Sequence, residues 1–198
     1  MLKLVPYPRF RALKKLLQGQ ADNHVRPWLR AGYRCVPLQW ARPEYLLSGQ
    51  GTVRNGGRWM ARQVTPVVYV ASSDSIALKE ARNHFSRYGI QPRKHPRVIV
   101  ELEVCLKAVV MLPELLQSLP WPRLEELMQE DWAAVNDSGQ ETLSQATGRA
   151  LFELGYEAVR VPSARDGRGS NLFIFPEALR QGSALAITGK EELEKWLA

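Results

Sequence analysis

A mixed α+β domain is the fold class that this sequence predicts, and two observations predict it. Segments with strand character and segments with helix character alternate irregularly, without the regular βαβ period of a doubly wound sheet. The 198 residues, 45% hydrophobic and 24% charged, have the size and composition of one globular unit with a sizeable core. No internal repeat, low-complexity tract or linker divides the chain, although residues 1–30 read as a helical extension before a main unit over residues 31–198.

Residues 8–18 are predicted as a short basic helix, with Phe10, Leu13, Leu16 and Leu17 at helical spacing and Arg11, Lys14 and Lys15 on the other side. A strand is expected over residues 33–38. An irregular stretch over residues 48–63 then carries Gly49, Gly51, Gly56 and Gly57 and suits a loop that approaches a ligand closely. Residues 66–71 have the β-branched density of a buried strand, and Ser72, Ser73 and Asp74 are candidate caps for a helix running to about Tyr88. Basic loop residues Arg93, Lys94 and Arg97 lead into a strand over residues 98–104, whose alternating end implies one wetter face. A Leu- and Pro-rich stretch over residues 112–129 precedes an amphipathic helix over residues 142–154, ended by Gly155. Strands over residues 158–161, 171–175 and 184–187 and a helix over residues 191–197 complete the prediction.

Charge and cysteine usage bound the function. The 27 Lys and Arg against 20 Asp and Glu give a net charge of +7, which favours an anionic partner: nucleic acid, acidic protein or phosphorylated small molecule. The start lacks the uninterrupted apolar run and small-residue cleavage site of a leader peptide. No apolar run approaches the roughly 20 residues of a membrane span, so a cytoplasmic location is expected. Cys35 and Cys105 are isolated and are expected as buried apolar side chains rather than a disulfide or thiolate metal site.

Several familiar motifs fail. Gly49-Gln50-Gly51 begins like a dinucleotide fingerprint but lacks the third glycine, follows no apolar strand and runs into Asn55-Gly56-Gly57. There is no GxxxxGK[ST]. His24, His84 and His95 make no pair at ligand spacing, so no metal is expected, and Ser163 is not in GxSxG.

Five side chains invite chemistry. Glu80 lies one helical turn from Ile76, Ala77 and His84 on an apolar side, so it is paired, at a pocket edge or turned to solvent by a different helix rotation. Tyr69 on a buried strand is ordinarily a core tyrosine; functionally it stacks on a planar ring. Arg34 in an apolar strand and Arg58 within Gly56-Gly57-Arg58-Trp59 are either internal ion-pair partners or forks for a pyrophosphate. Ser163 ends a strand and taken alone is a turn residue.

In order along the chain, Tyr33-Arg34, Gly56-Gly57-Arg58-Trp59, Thr65-Pro66-Val67-Val68-Tyr69 and Ala77-Leu78-Lys79-Glu80 are followed by Gln145-Ala146-Thr147-Gly148-Arg149-Ala150, Gly155-Tyr156, Val161-Pro162-Ser163-Ala164-Arg165 and Asn171-Leu172. This string, over roughly residues 30–188, resembles the RES-domain family. The family is named for an arginine, a glutamate and a serine, which map to Arg34 or Arg58, to Glu80 and to Ser163. The resemblance implies an ADP-ribosyltransferase-like mixed sheet core with flanking helices and NAD as substrate. It also implies a toxin neutralised by a cognate antitoxin with a helix-turn-helix part, in a hetero-oligomeric complex that meets DNA only through the antitoxin. Two departures stand out: Met60 replaces the Asn that commonly follows Gly-Gly-Arg-Trp, and the glycine expected shortly before Thr65-Pro66 is replaced around Gln63 and Val64. Residues 1–30 exceed the family's usual compact start.

Because the nicotinamide of NAD is already a cationic leaving group, its departure chiefly needs stabilisation of an oxocarbenium-like transition state. On the resemblance, Glu80 is assigned to that charge or to a ribose hydroxyl, Arg34 and Arg58 to the phosphates, Tyr69 to the nicotinamide or adjoining ribose, and Ser163 and Asn171 to cofactor binding. Water, phosphate or a protein side chain remains open as the acceptor. So do two other readings: an ADP-ribosyltransferase toxin or effector, and a catalytically degenerate protein that binds nucleic acid or a partner.

Overall fold

The computed structural model describes residues 3–88, 96–164 and 169–197, with the side chains of 83–88 outside the description. The expectations for His84, His95, Arg93, Lys94 and Arg165 therefore lie outside the described residues.

Six strands build one mixed sheet: β1 (Val25–Pro37), β2 (Val68–Ala71), β3 (Arg97–Met111), β4 (Ala158–Pro162), β5 (Ser170–Ile174) and β6 (Ala184–Ile187), in the order β1-β2-β5-β4-β3-β6. Only β3 and β4 run parallel. Strand β1 also pairs with β3, from Val25 opposite Val110 to Pro37 opposite Arg97, and meets β2 at the single pair Tyr33 and Ala71. The sheet thus curls until its first strand touches both β2 and β3. The apolar cluster it encloses draws on all six strands, including Trp28, Val70, Leu102, Ala158, Ile174 and Ile187.

The alternation expected over residues 98–104 continues further in both directions. Along β3, Val100, Leu102, Val104 and Leu106 are buried while Glu101, Glu103 and Lys107 are exposed, the signature of a strand with one wet face. Arg97, expected in a loop, opens this strand. A parallel neighbour requires a crossover, and the chain from β3 to β4 supplies it as four helices: α5 (Leu112–Gln117), α6 (Leu124–Gln129), α7 (Trp132–Asp137) and α8 (Leu143–Glu153). Helix α8 starts as expected, with the Thr142 hydroxyl accepting from the Gln145 amide and the Gln145 side chain accepting from the Thr142 amide. It stops before Gly155, which has φ +82°.

Two further expectations need correction. The stretch 48–63 is not wholly irregular, because short helices, numbered α2 (Pro43–Ser48) and α3 (Gln50–Asn55) after the N-terminal α1 (Phe10–Gln18), flank a left-handed Gly49. Glycine-rich sequence concealed them, since Thr52 buries against the Val67 carbonyl rather than along an apolar stripe. Cys35 and Cys105 are half-buried rather than buried, because Cys105 lies on the wet face of β3 and Cys35 at the edge of a cleft.

The second apolar cluster lies under the helices. Leu13 and Leu17 of α1 join Leu112, Leu115, Leu127, Leu151, Phe173 and Phe175 in it. Arg149 of α8 fixes α1 further: its guanidinium lies 3.3 Å from the Phe10 ring centroid and donates to both Glu141 carboxylate oxygens at 2.7 and 2.6 Å. The expected division at residue 30 falls inside β1. The chain closes with α9 (Lys190–Leu197).

Candidate active site

A cleft of about 250 Å³ opens at the seam where β1 meets β2. Strand β1 gives it Tyr33, Arg34 and Cys35, β2 gives Tyr69 and Ala71, and β5 gives Asn171. The helix α4 (Asp74–Tyr88) gives Ala77 and Glu80. That helix follows β2 almost at once because the Ser73 hydroxyl accepts from the Ile76 amide at its start. Ile76 and Ala77 bury against Tyr33 and Cys35, and this seating turns Glu80, one turn later, into the cleft.

Glu80 is half-buried and held from one side. Its Oε1 accepts from the Ser163 hydroxyl at 2.7 Å and from the Asn171 side-chain amide at 3.0 Å. Strands β4 and β5 deliver these donors because Val161 pairs with Asn171 and Ser163 follows where β4 ends. Oε2 takes no hydrogen bond among the described residues. One carboxylate oxygen is therefore committed to orientation and the other left for a ligand.

The two arginines separate. Arg34 lines the cleft on the inner side of the curled sheet, and its Nη1 donates to the Leu46 carbonyl of α2 at 2.9 Å. Burial pulls its guanidinium down to about 10, so it stays cationic at neutral pH. Arg34 and Glu80 face one cleft without forming an ion pair. Arg58 does not line that cleft. Its Nη1 donates to the carbonyls of Leu127 and Glu130, both at 3.0 Å, where α6 ends. The Glu130 carboxylate in turn accepts from the Leu143 and Ser144 amides at the start of α8.

Tyr69 stands between these regions, because Val68 and Val70 face the enclosed cluster and turn it the other way. Its ring tilts against Phe173, and its hydroxyl accepts from the Trp59 amide at 3.4 Å. Burial pushes the phenol well above its ordinary value, against the opposing Trp59 amide and Arg58 charge, so it remains neutral. A β-carbon on Gly57 would stand 2.6 Å from the Tyr69 hydroxyl, so only glycine permits this approach. Met60 is fully buried in the helix-side core, and Gln63 has φ +62°, a conformation that favours glycine.

Sequence reasoning left Tyr33 and Cys35 off the site, although both line it. Burial raises the Cys35 thiol above its ordinary range, with Arg97 opposing, while a hydrogen bond with Glu101 raises Tyr33. Their positions on either side of Arg34 are the one signal in the sequence that points to them.

Among the described residues, no group of three His, Cys, Asp or Glu side chains is placed to hold a metal ion, and no helix is long and apolar enough to cross a membrane. The model of the RES domain matches residues 31–195. The chain belongs to the RES-domain family. Its fold is also similar to a chain in the crystal structure of the M. tuberculosis MbcT-MbcA toxin-antitoxin complex. The TM-score is 0.65 at 20% identity, over 92% of this RES-domain chain and 97% of that one. No curated protein matches it in sequence.

Proposed function

We propose that this RES-domain protein is a toxin that cleaves NAD at the nicotinamide–ribose bond and is held in check by a cognate antitoxin. One observation carries the reading: Glu80 and Arg34 face the same cleft unpaired, with Glu80 steered by Ser163 and Asn171 so that Oε2 is open. An oriented carboxylate opposite a desolvated guanidinium suits a ligand that is anionic at one end and develops positive charge at the other. Family membership supports NAD as that ligand, and the toxin-antitoxin complex formed by the structural neighbour supports the partner. The curled mixed sheet with helices outside is compatible with an ADP-ribosyltransferase-like core.

In this mechanism Arg34 holds a phosphate, and the Tyr69 ring packs against the nicotinamide or its ribose. Glu80 Oε2 holds a ribose hydroxyl or faces the charge that grows at C1′. The C1′–N bond breaks with its electron pair going to the nicotinamide nitrogen. Water then adds to C1′ and releases a proton, and phosphate or a protein side chain in its place gives the corresponding transfer product.

The test is nicotinamide release from NAD by the purified, partner-free protein. Glu80→Gln is expected to lower it at least about 100-fold, as loss of a transition-state electrostatic contact does. Parent-like release by Glu80→Gln, or none by the parent, rejects the reading. Mass spectrometry of proteins incubated with the enzyme and NAD separates transfer from hydrolysis. The two arginines are told apart in one experiment. Arg34→Ala is expected to lower kcat/KM at least about 10-fold with a smaller change in Tm, whereas Arg58→Ala, which frees the α6 carbonyls, is expected to lower Tm.

A further inference from the structure

A second concavity, of about 430 Å³, lies between the turn Leu38–Trp40, α2 and α9. Trp40, Tyr45 and Trp196 form its walls and Arg42 its charged rim. Among the described residues seven large hydrophobic side chains are conspicuously exposed, and three converge here: Trp40 at 41%, Tyr45 at 43% and Trp196 at 62%. Their meeting is organised, with Trp40 edge-on to Tyr45 at a centroid distance of 5.1 Å. The Arg42 side chain makes no hydrogen bond or ion pair among the described residues, and no acidic side chain among them lines the groove.

We propose that this groove docks an acidic peptide segment of a partner protein, an apolar anchor residue seating between the rings and an adjacent carboxylate meeting Arg42. Trp, Tyr and Arg are the residues that dominate binding energy at protein interfaces, and a guanidinium fork matches a carboxylate. A nucleic-acid strand fits less well, because one arginine cannot track successive phosphates. The groove shares no lining residue with the Glu80 cleft, so a docked segment leaves that cleft open. This inference stands apart from the NAD reading.

The test uses the six tryptophan indole N–H resonances, assigned by single Trp→Phe variants, and two blocked dipeptide probes: N-acetyl-phenylalanyl-glutamate amide and its glutamine counterpart. The glutamate probe is expected to shift Trp40 and Trp196 saturably in the millimolar range and to bind at least about three-fold tighter than the glutamine probe, a difference of roughly 0.6 kcal/mol. Trp121 and Trp132 should stay in place. Arg42→Gln should erase the difference between the probes, and Glu80→Gln should leave it unchanged. Equal binding of the two probes, no saturable shift at Trp40 and Trp196, or displacement of the probe by a single-stranded oligonucleotide would overturn the proposal. So would concentration-dependent broadening of these resonances without peptide, which would assign the groove to a second copy of the chain.

Discussion

Glu80 illustrates how little of a candidate site side chain's setting is written in its own neighbourhood. Its helix turns it toward the cleft, but its orientation comes from Ser163 and Asn171, which lie 83 and 91 residues away. Asn171→Ala leaves one donor on Oε1. On the proposed function, NAD cleavage is expected to fall about 10-fold, mostly in kcat, with little change in Tm; an unchanged kcat would show that Ser163 alone suffices. Gln63 offers a test of strain. A left-handed backbone costs a side chain about 1–2 kcal/mol, and glycine gives back roughly 0.5–1 kcal/mol in unfolded-state entropy. Gln63→Gly is therefore expected to raise stability by about 0.5–1 kcal/mol in urea unfolding, and Gln63→Val to lower it.

Among elements, α8 is the brace on which the site's back wall depends. Gly148 lies so close to the Trp59 carbonyl that a β-carbon there would overlap it. The Gln145 side chain also donates to the Gly57 carbonyl at 2.8 Å. Gly148→Ala must push the Gly57-Arg58-Trp59 turn away from α8. A loss of about 1–3 kcal/mol is expected in denaturant unfolding and, on the proposed function, weaker NAD binding as Tyr69 loses its Trp59 contact. On its other side, α8 holds α1 through Arg149. Arg149→Ala strands Glu141, whose side chain is almost fully buried, and is expected to cost about 2–4 kcal/mol and expose α1 to limited proteolysis. An α1 as protected as in the parent would show that Leu13 and Leu17 are sufficient.

For the whole molecule, Glu157 links folding to pH. It is buried at the start of β4, and its carboxylate accepts from the amides of Lys107, Ala108 and Arg180, joining β3 to the chain before β6. Burial alone would raise its pKa, but the Ser183 side chain and then these amides outweigh burial and hold the group below the usual carboxylate range. A depressed folded value means that its stabilisation is fully present above the unfolded pKa, near 4.5, and is lost as pH falls through the folded one. Tm should therefore drop on acidification below about pH 4.5. Glu157→Gln should be less stable at neutral pH and show a shallower acid limb; parallel curves would contradict the assignment.

Apolar spacing, caps and β-branched runs gave the mixed α+β class, the positions of α1, α4, α8 and α9, and a strand at each observed place, though only the later part of β1 and the earlier part of β3. Those signals are local: apolar spacing, Thr142 as a cap and Gly155 as a stop act within a few residues. The ordered motifs from Tyr33-Arg34 to Asn171-Leu172 also announced the family that the domain match places over residues 31–195. The extension of β1 and β3, the helices hidden in the glycine-rich stretch and the half-exposure of both cysteines were not legible. Each depends on which distant strand or helix covers a given face. The same holds for the arginines. Sequence offered Arg34 and Arg58 as equals, and only the curl of the sheet at Tyr33 and Ala71 brings Arg34 into one cleft with Glu80, while the ends of α6 and α8 enclose Arg58. Chemistry of single residues is local and can be read along the chain, whereas the pairing of a carboxylate with its donors is a long-range contact that only tertiary packing decides.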